Sequence, residues 1–175
     1  MARILKTEAF VIKKKSLLNK DTVITLFSQE KGKIKVFAKG IKKITSRRLP
    51  HSQTGNLIEA LIHKKQDRLS LQETKLISLF SEIKKDSQKI NNFYLVLFIL
   101  DRLLPEGQKE EPIYLQFKKF IIELSKSKNP DGEILTRYLN EILRLLGYVK
   151  HRSSFSEIRE IIEETINEKI PDFVI

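Results

Sequence analysis

Lys33, Lys35, Phe37 and Lys39 occupy every second position of the segment Gly32-Lys33-Ile34-Lys35-Val36-Phe37-Ala38-Lys39-Gly40. In an extended strand that spacing sends all four to one face and Ile34, Val36 and Ala38 to the other. Cations beside an aromatic ring are what a protein needs to hold a phosphate backbone and stack a base. The same pattern also describes a solvated edge strand whose lysines block edge-to-edge pairing. More cations surround it: Lys13, Lys14 and Lys15 before it, then Lys42, Lys43, Arg47 and Arg48 after it. Lysine, a flexible point charge, outnumbers arginine in this half of the chain, which favours backbone contact over base readout.

Groups for covalent or acid–base chemistry are sparse. His51, His63 and His151 stand apart, without the spacing of a metal-binding pair. There is no cysteine, which excludes disulfides, thiolate metal sites and a cysteine nucleophile. No glycine-rich phosphate loop occurs. The carboxylates of the basic half, Glu8, Asp21, Glu30, Glu59, Asp67 and Glu73, are scattered rather than gathered for two metals. The residues point to binding rather than to an enzyme, and to no cofactor or metal.

The elements that must present these cations can be read from pattern. The chain has 175 residues and a net charge of +11. Residues 1–80 carry 18 basic and 6 acidic side chains, the remainder 15 and 16, so the whole excess lies in the first half. A basic module joined to a neutral one suits a polyanion binder with a scaffold attached. The first half reads as five strands, over residues 4–13, 21–28, 32–39, 56–63 and 69–77. The turn at 29–32 makes a hairpin of the second and third, and Gln66-Asp67-Arg68 forms another turn. Five short strands in about 80 residues suit an OB-fold β-barrel. Residues 41–53 fit no strand. They read as a mobile basic loop, or as a short helix bridging the barrel with Ile41, Ile44 and Leu49 inward.

The second half reads as helices. One spans 85–104 and is apolar nearly all round, hence central. Another starts at Pro112 and carries Ile113, Phe117, Phe120, Ile121 and Leu124 on one stripe. A third opens at Asn129-Pro130-Asp131, turns Leu135, Tyr138, Leu139, Ile142, Leu145 and Leu146 inward, and ends at Gly147. Ser154 and Glu157 form a capping box for a last helix. The fold class is therefore α+β: an N-terminal five-stranded OB-fold barrel over 1–80, then a C-terminal α-helical bundle over 81–175. The longest apolar run, residues 93–100, is too short to span a bilayer, and no apolar leader follows Met1. The expectation is a cytoplasmic protein with no membrane contact.

Several segments are familiar as sequences. They are Thr7-Glu8-Ala9-Phe10-Val11-Ile12-Lys13, Leu26-Phe27-Ser28-Gln29-Glu30-Lys31-Gly32-Lys33-Ile34, and Ala38-Lys39-Gly40-Ile41-Lys42-Lys43 with Ser46-Arg47. Leu100-Asp101-Arg102-Leu103-Leu104-Pro105-Glu106-Gly107 and Leu143-Arg144-Leu145-Leu146-Gly147-Tyr148 follow in order. In these the chain resembles the RecO family of bacterial recombinational DNA repair mediators, to about residue 150. The resemblance implies an OB fold, a helical domain, binding of single- and double-stranded DNA and strand annealing. It also implies contacts with RecR and with the tail of single-strand binding protein, a nucleoid location, and no enzymatic activity. Many members carry a cysteine zinc motif after the Leu-Gly-Tyr segment. Here that place holds Val149-Lys150-His151-Arg152-Ser153-Ser154, so zinc is not carried over. Two other functions need the same basic face: an RNA- or ribosome-associated OB-fold protein, and a scaffold docking acidic protein tails.

Overall fold

The structure, a computed structural model, describes residues 3–18, 21–41, 46–128 and 132–171. Lys20, Lys42, Lys43, Ile44 and the Asn129-Pro130-Asp131 helix start lie outside the described residues.

Five strands close into a barrel: β1 (Arg3–Ser16), β2 (Thr22–Ser28), β3 (Gly32–Ala38), β4 (Leu57–Lys65) and β5 (Arg68–Ser78), in the order β1-β2-β3-β5-β4. Every pairing is antiparallel except β3 with β5. This is the OB-fold barrel that the sequence pattern predicts. Strict alternation builds its core. Ala9 and Val11 of β1, Ile24 and Leu26 of β2, Ile34, Val36 and Ala38 of β3, and Ile58, Ala60 and Ile62 of β4 meet inside with Leu71 of β5. Each large aliphatic side chain so buried contributes roughly 1.5–3 kcal/mol. β1 runs three residues past its expected end because it serves two partners. Its first part, to Phe10, pairs with β4, and Ala9–Ser16 pairs with β2.

Of the stretch after β3, residues 42–45 lie outside the described residues, and a short helix forms in the part that is described. Short helix α1 (Arg48–His51) lies between β3 and β4. Ile41 is buried, and Leu49 packs against the barrel core. Asn56 secures the helix end by donating to the Pro50 and His51 carbonyls at 3.2 and 3.0 Å.

The remaining elements are helices: α2 (Ser81–Lys84), α3 (Ser87–Leu103), α4 (Glu111–Lys126), α5 (Gly132–Leu145) and α6 (Phe155–Ile166). Two compact units result, one of residues up to Leu79 with Leu104–Glu110, the other of Phe80–Leu103 with the residues from Glu111 onward. α3 begins later than expected because Asp86 caps it, accepting from the Lys89 amide at 2.9 Å. Aromatic stacking fills the space between α4 and α5, where the Phe120 and Tyr138 ring centroids are 4.5 Å apart. One inward assignment on α5 is corrected: Leu143 is buried, while Leu145 is exposed and Leu146 half-buried. At about 100° per residue, Leu143 and Leu145 stand roughly 80° to either side of the line through Leu135. Periodicity cannot rank them, and packing takes the Leu143 side. Gly147, at φ +81°, ends this helix in a left-handed turn, with the Tyr148 amide donating to the Leu143 carbonyl at 2.8 Å. The Ser154–Glu157 capping box forms as expected. Among the described residues no helix is long and apolar enough to cross a membrane.

Candidate nucleic-acid interface

Register assembles the site. β2 and β3 pair without interruption, so no bulge disturbs the alternation of β3. Ile34, Val36 and Ala38 are buried, Lys35 and Lys39 exposed, and Lys33 and Phe37 half-buried. Directly opposed residues of neighbouring strands point to the same face. Lys35 opposes Thr25, and Thr25 opposes Lys13. Phe37 opposes Val23, and Val23 opposes Lys15. The outer face of β1-β2-β3 thus carries two rungs, Lys13–Thr25–Lys35 and Lys15–Val23–Phe37. Along β3, same-face neighbours repeat at about 6.7 Å. Lys14 lies between them in sequence but belongs to the opposite face. Its ammonium donates to Gln53 Oε1 at 2.6 Å, and partial burial lowers its pKa from the usual lysine range. The bulge between Val11 and Lys13 is what sets this parity in β1.

A residue that the sequence pattern assigns to a turn completes the face. Arg68 is not part of the β4–β5 turn but the first residue of β5, opposite Lys65. β3 and β5 meet at Phe37 and Ser70, which brings Arg68 beside Phe37. Its guanidinium carbon stands 4.2 Å from the Phe37 ring centroid, a cation–π contact. Lys64, Lys65 and Arg68 are all exposed on this hairpin. The signal available in sequence was the charge of the hairpin. Its proximity to Phe37 comes only from closing the barrel.

The other candidates play different parts. Arg48 is turned to the fold: it donates to the Leu71 carbonyl at 2.6 Å and to the Lys39 carbonyl at 2.8 Å. It therefore ties the end of β3 to β5 through α1. His51 Nδ1 lies 3.0 Å from the Thr74 carbonyl oxygen, a second tie of α1 to β5. Arg47 is exposed, on the wall of an open hollow of about 590 Å3 that Glu73 also lines. Lys42 and Lys43 lie outside the described residues. Near Lys39, the Gly40 amide donates to Asp21 Oδ1 at 2.8 Å, which fixes the exit of β3 to the β1–β2 connection.

A carboxylate shares the face. In Leu104–Glu110, which groups with the barrel, Glu106 pairs with Lys33 in a parallel bridge and the Gly107 amide donates to the Lys33 carbonyl at 2.7 Å. Glu106 Oε2 lies 2.7 Å from Lys35 Nζ, both side chains about half exposed. Gly32, at φ +64°, admits this segment: a methyl group there would overlap the Gln108 carbonyl. Among the described residues no cluster of three His, Asp or Glu side chains is placed to hold a metal ion. The arrangement offers repeated cations, a ring capped by a guanidinium, and a carboxylate that competes for Lys35. Such equipment is of the kind that holding an extended polyanion with bases requires.

The family described as Recombination protein O N terminal matches residues 1–80. The DNA repair protein RecO of Caldanaerobacter subterraneus is 31% identical over 148 residues, covering 84% of this chain and 60% of that protein. The DNA repair protein RecO of Thermoanaerobacter sp. is 27% identical over 147 residues, 84% of this chain and 59% of that protein. The one from Acetivibrio thermocellus is 27% identical over 150 residues, 86% of this chain and 60% of that protein. The matches thus take in about 60% of the length of these relatives. With a closed five-stranded barrel in the matched region, residues 1–80 belong to the family described as Recombination protein O N terminal, and most of the chain is similar to DNA repair proteins RecO.

Proposed function

We propose that this chain binds DNA without catalysis, through the outer face of β1-β2-β3 and the β4–β5 hairpin, as a mediator of recombinational repair. The observation that carries the reading is the pair of rungs that gathers Lys13, Lys35, Lys15 and Phe37 on one face with Arg68 above the ring. Lys33 and Lys39 extend the row. Arg47, Lys42 and Lys43 add charge after β3, Lys14 steadies the barrel end through Gln53, and Arg48 acts by holding that end in place. The barrel, residues 1–80, is the nucleic-acid module and 81–175 the helical one. Backbone contact through lysines, without base readout, suits strand annealing, displacement of single-strand binding protein and loading of a recombinase. RecR and the tail of single-strand binding protein are the partners this reading takes from the family resemblance, and the nucleoid of a bacterial cytoplasm is its location.

Affinity for labelled single strand, duplex and RNA of equal length, measured against salt, tests it. The expected result is a steep fall of log affinity with log salt and little dependence on sequence. Accelerated annealing of complementary strands should accompany binding. A flat salt response, or a strong preference for RNA over the matched DNA, overturns the reading.

A further inference from the structure

The connector between α5 and α6 holds a second set of cations, in a half of the chain that has no basic excess. Lys150, His151 and Arg152 are consecutive and all exposed. With Asn140, Glu141 and Arg144 they line an open hollow of about 210 Å3. Arg144 is engaged by Glu141, at 2.6 and 3.1 Å. No ion pair or hydrogen bond ties up the side chains of Lys150, His151 or Arg152 among the described residues.

The connector is held at both ends. At the start, Gly147 reverses the chain and the Tyr148 amide closes on Leu143. At the end, buried Asn140 clamps Ser153: its Oδ1 accepts from the Ser153 amide at 2.8 Å, and its Nδ2 donates to the Ser153 carbonyl at 2.9 Å. The capping box follows at once, with the Ser154 amide donating to Glu157 at 2.7 Å. A lysine, an imidazole and an arginine on a backbone anchored in this way need little further backbone ordering to bind an anion.

We propose that this connector is a second phosphate-binding site, which takes the sugar–phosphate backbone of a nucleic-acid strand on Lys150, His151 and Arg152. The chemistry of the hollow selects that occupant. Its lining is charged or polar throughout, with no apolar side chain and no open strand edge. An acidic peptide draws affinity from apolar pockets or an edge as well as from charge, and neither is present. A repeating phosphate backbone needs only cations at fixed positions. The inference goes beyond the barrel reading, since a barrel that bound nothing would leave it standing.

The test uses the full chain with Lys150, His151 and Arg152 all changed to Ala, against a labelled oligothymidylate and a duplex, across a salt series. Each lost phosphate contact makes the slope shallower by about 0.7 on a single strand, so a drop of between one and two units and a loss of about tenfold in low-salt affinity are expected. Melting should not move, because the three side chains are exposed. Parental affinity and slope in the folded variant overturn the proposal. Independently of any variant, titrating a short oligonucleotide into the unmodified chain should shift the amide resonances of residues 150–153, and unmoved amides there overturn it as well. A poly-glutamate peptide that shifts them while the oligonucleotide does not would replace the nucleic acid with an acidic protein segment. Making the same triple change in a Lys35→Ala, Phe37→Ala background separates the sites. Loss from the connector change alone supports the second site even where the barrel changes do nothing, and that outcome would sink the barrel reading instead.

Discussion

Phe37→Ala divides the possible roles of the barrel face most sharply. The ring is half-buried, lies outside the inner cluster of the barrel and carries Arg68 at 4.2 Å. Its removal costs the fold a partly exposed cation–π contact, about 0.5–1 kcal/mol. In a chain of this size that lowers Tm by roughly 1–4 °C. A ring in the core would cost roughly 3–5 kcal/mol instead. Binding should respond more strongly. A stacked base is worth about 1–3 kcal/mol, and because the guanidinium covers one side of the ring, the lower half of that range is expected, a loss of roughly 5–30-fold on single strands. The salt slope should stay as it is, because no charge has been removed. Arg68→Ala should lose stacking and also lower the slope by about 0.7, since one cation goes. The two changes share one surface, so the double variant should lose less than the sum of the single ones. Fluorescence anisotropy across a salt series reads all three quantities, with thermal melts as control. Unfolding of Phe37→Ala, or unchanged single-strand affinity, would refute the stacking argument while leaving the lysines untouched.

Three other outcomes follow from the same geometry. Glu106→Gln removes the carboxylate that competes with phosphate for Lys35, so DNA affinity at low salt should rise a few-fold; unchanged affinity would mean that Lys35 does not meet phosphate. Gly32→Ala forces a left-handed φ on alanine, about 1–2 kcal/mol, and drives its methyl into the Gln108 carbonyl, so Tm should fall and limited proteolysis near residues 104–110 should quicken; a wild-type melt would contradict the packing. In the helical unit, contacts from Lys169, the Ile170 amide and Arg159 hold the Glu163 carboxyl at a pKa of about 2. A depressed carboxylate stabilises above its unfolded pKa of about 4.3 and loses that contribution as pH falls toward the folded value. Protection of the Ile170 amide, its exchange rate taken relative to that of an unstructured peptide at the same pH, should therefore fall as acidity increases over that window, and Glu163→Gln should remove that fall; an identical protection profile in the variant would break the argument.

β3 was legible because it buries one face and leaves the other open. Alternation in Ile34-Lys35-Val36-Phe37-Ala38 needs only local pattern to place the lysines outward, and the uninterrupted β2–β3 register preserves that parity. β1 resisted such reading. Lys13-Lys14-Lys15 has no apolar member to fix its phase, and the bulge after Val11 decides which of the three face outward. On α5 the ambiguity was rotational, Leu143 and Leu145 being equivalent by period and separated only by what packs against them.

Arg68 shows why charge counting finds a basic half but not a site. In sequence it stands thirty-one positions from Phe37, in what reads as a polar turn. Only the parallel β3–β5 contact at Phe37 and Ser70 closes the barrel and sets a guanidinium on the ring. Arg48 is the converse: equally basic and close to the row of lysines, yet spent on the carbonyls of Leu71 and Lys39. Two arginines of the same formal charge thus take opposite roles because one backbone leaves carbonyls within reach and the other leaves a ring. For a lysine-rich OB face, the residues that bind should be those whose cross-strand partners share the face. Those turned toward carbonyls should act through stability, so Arg48→Ala should lower Tm before it lowers the salt slope, the reverse of what Arg68→Ala should do.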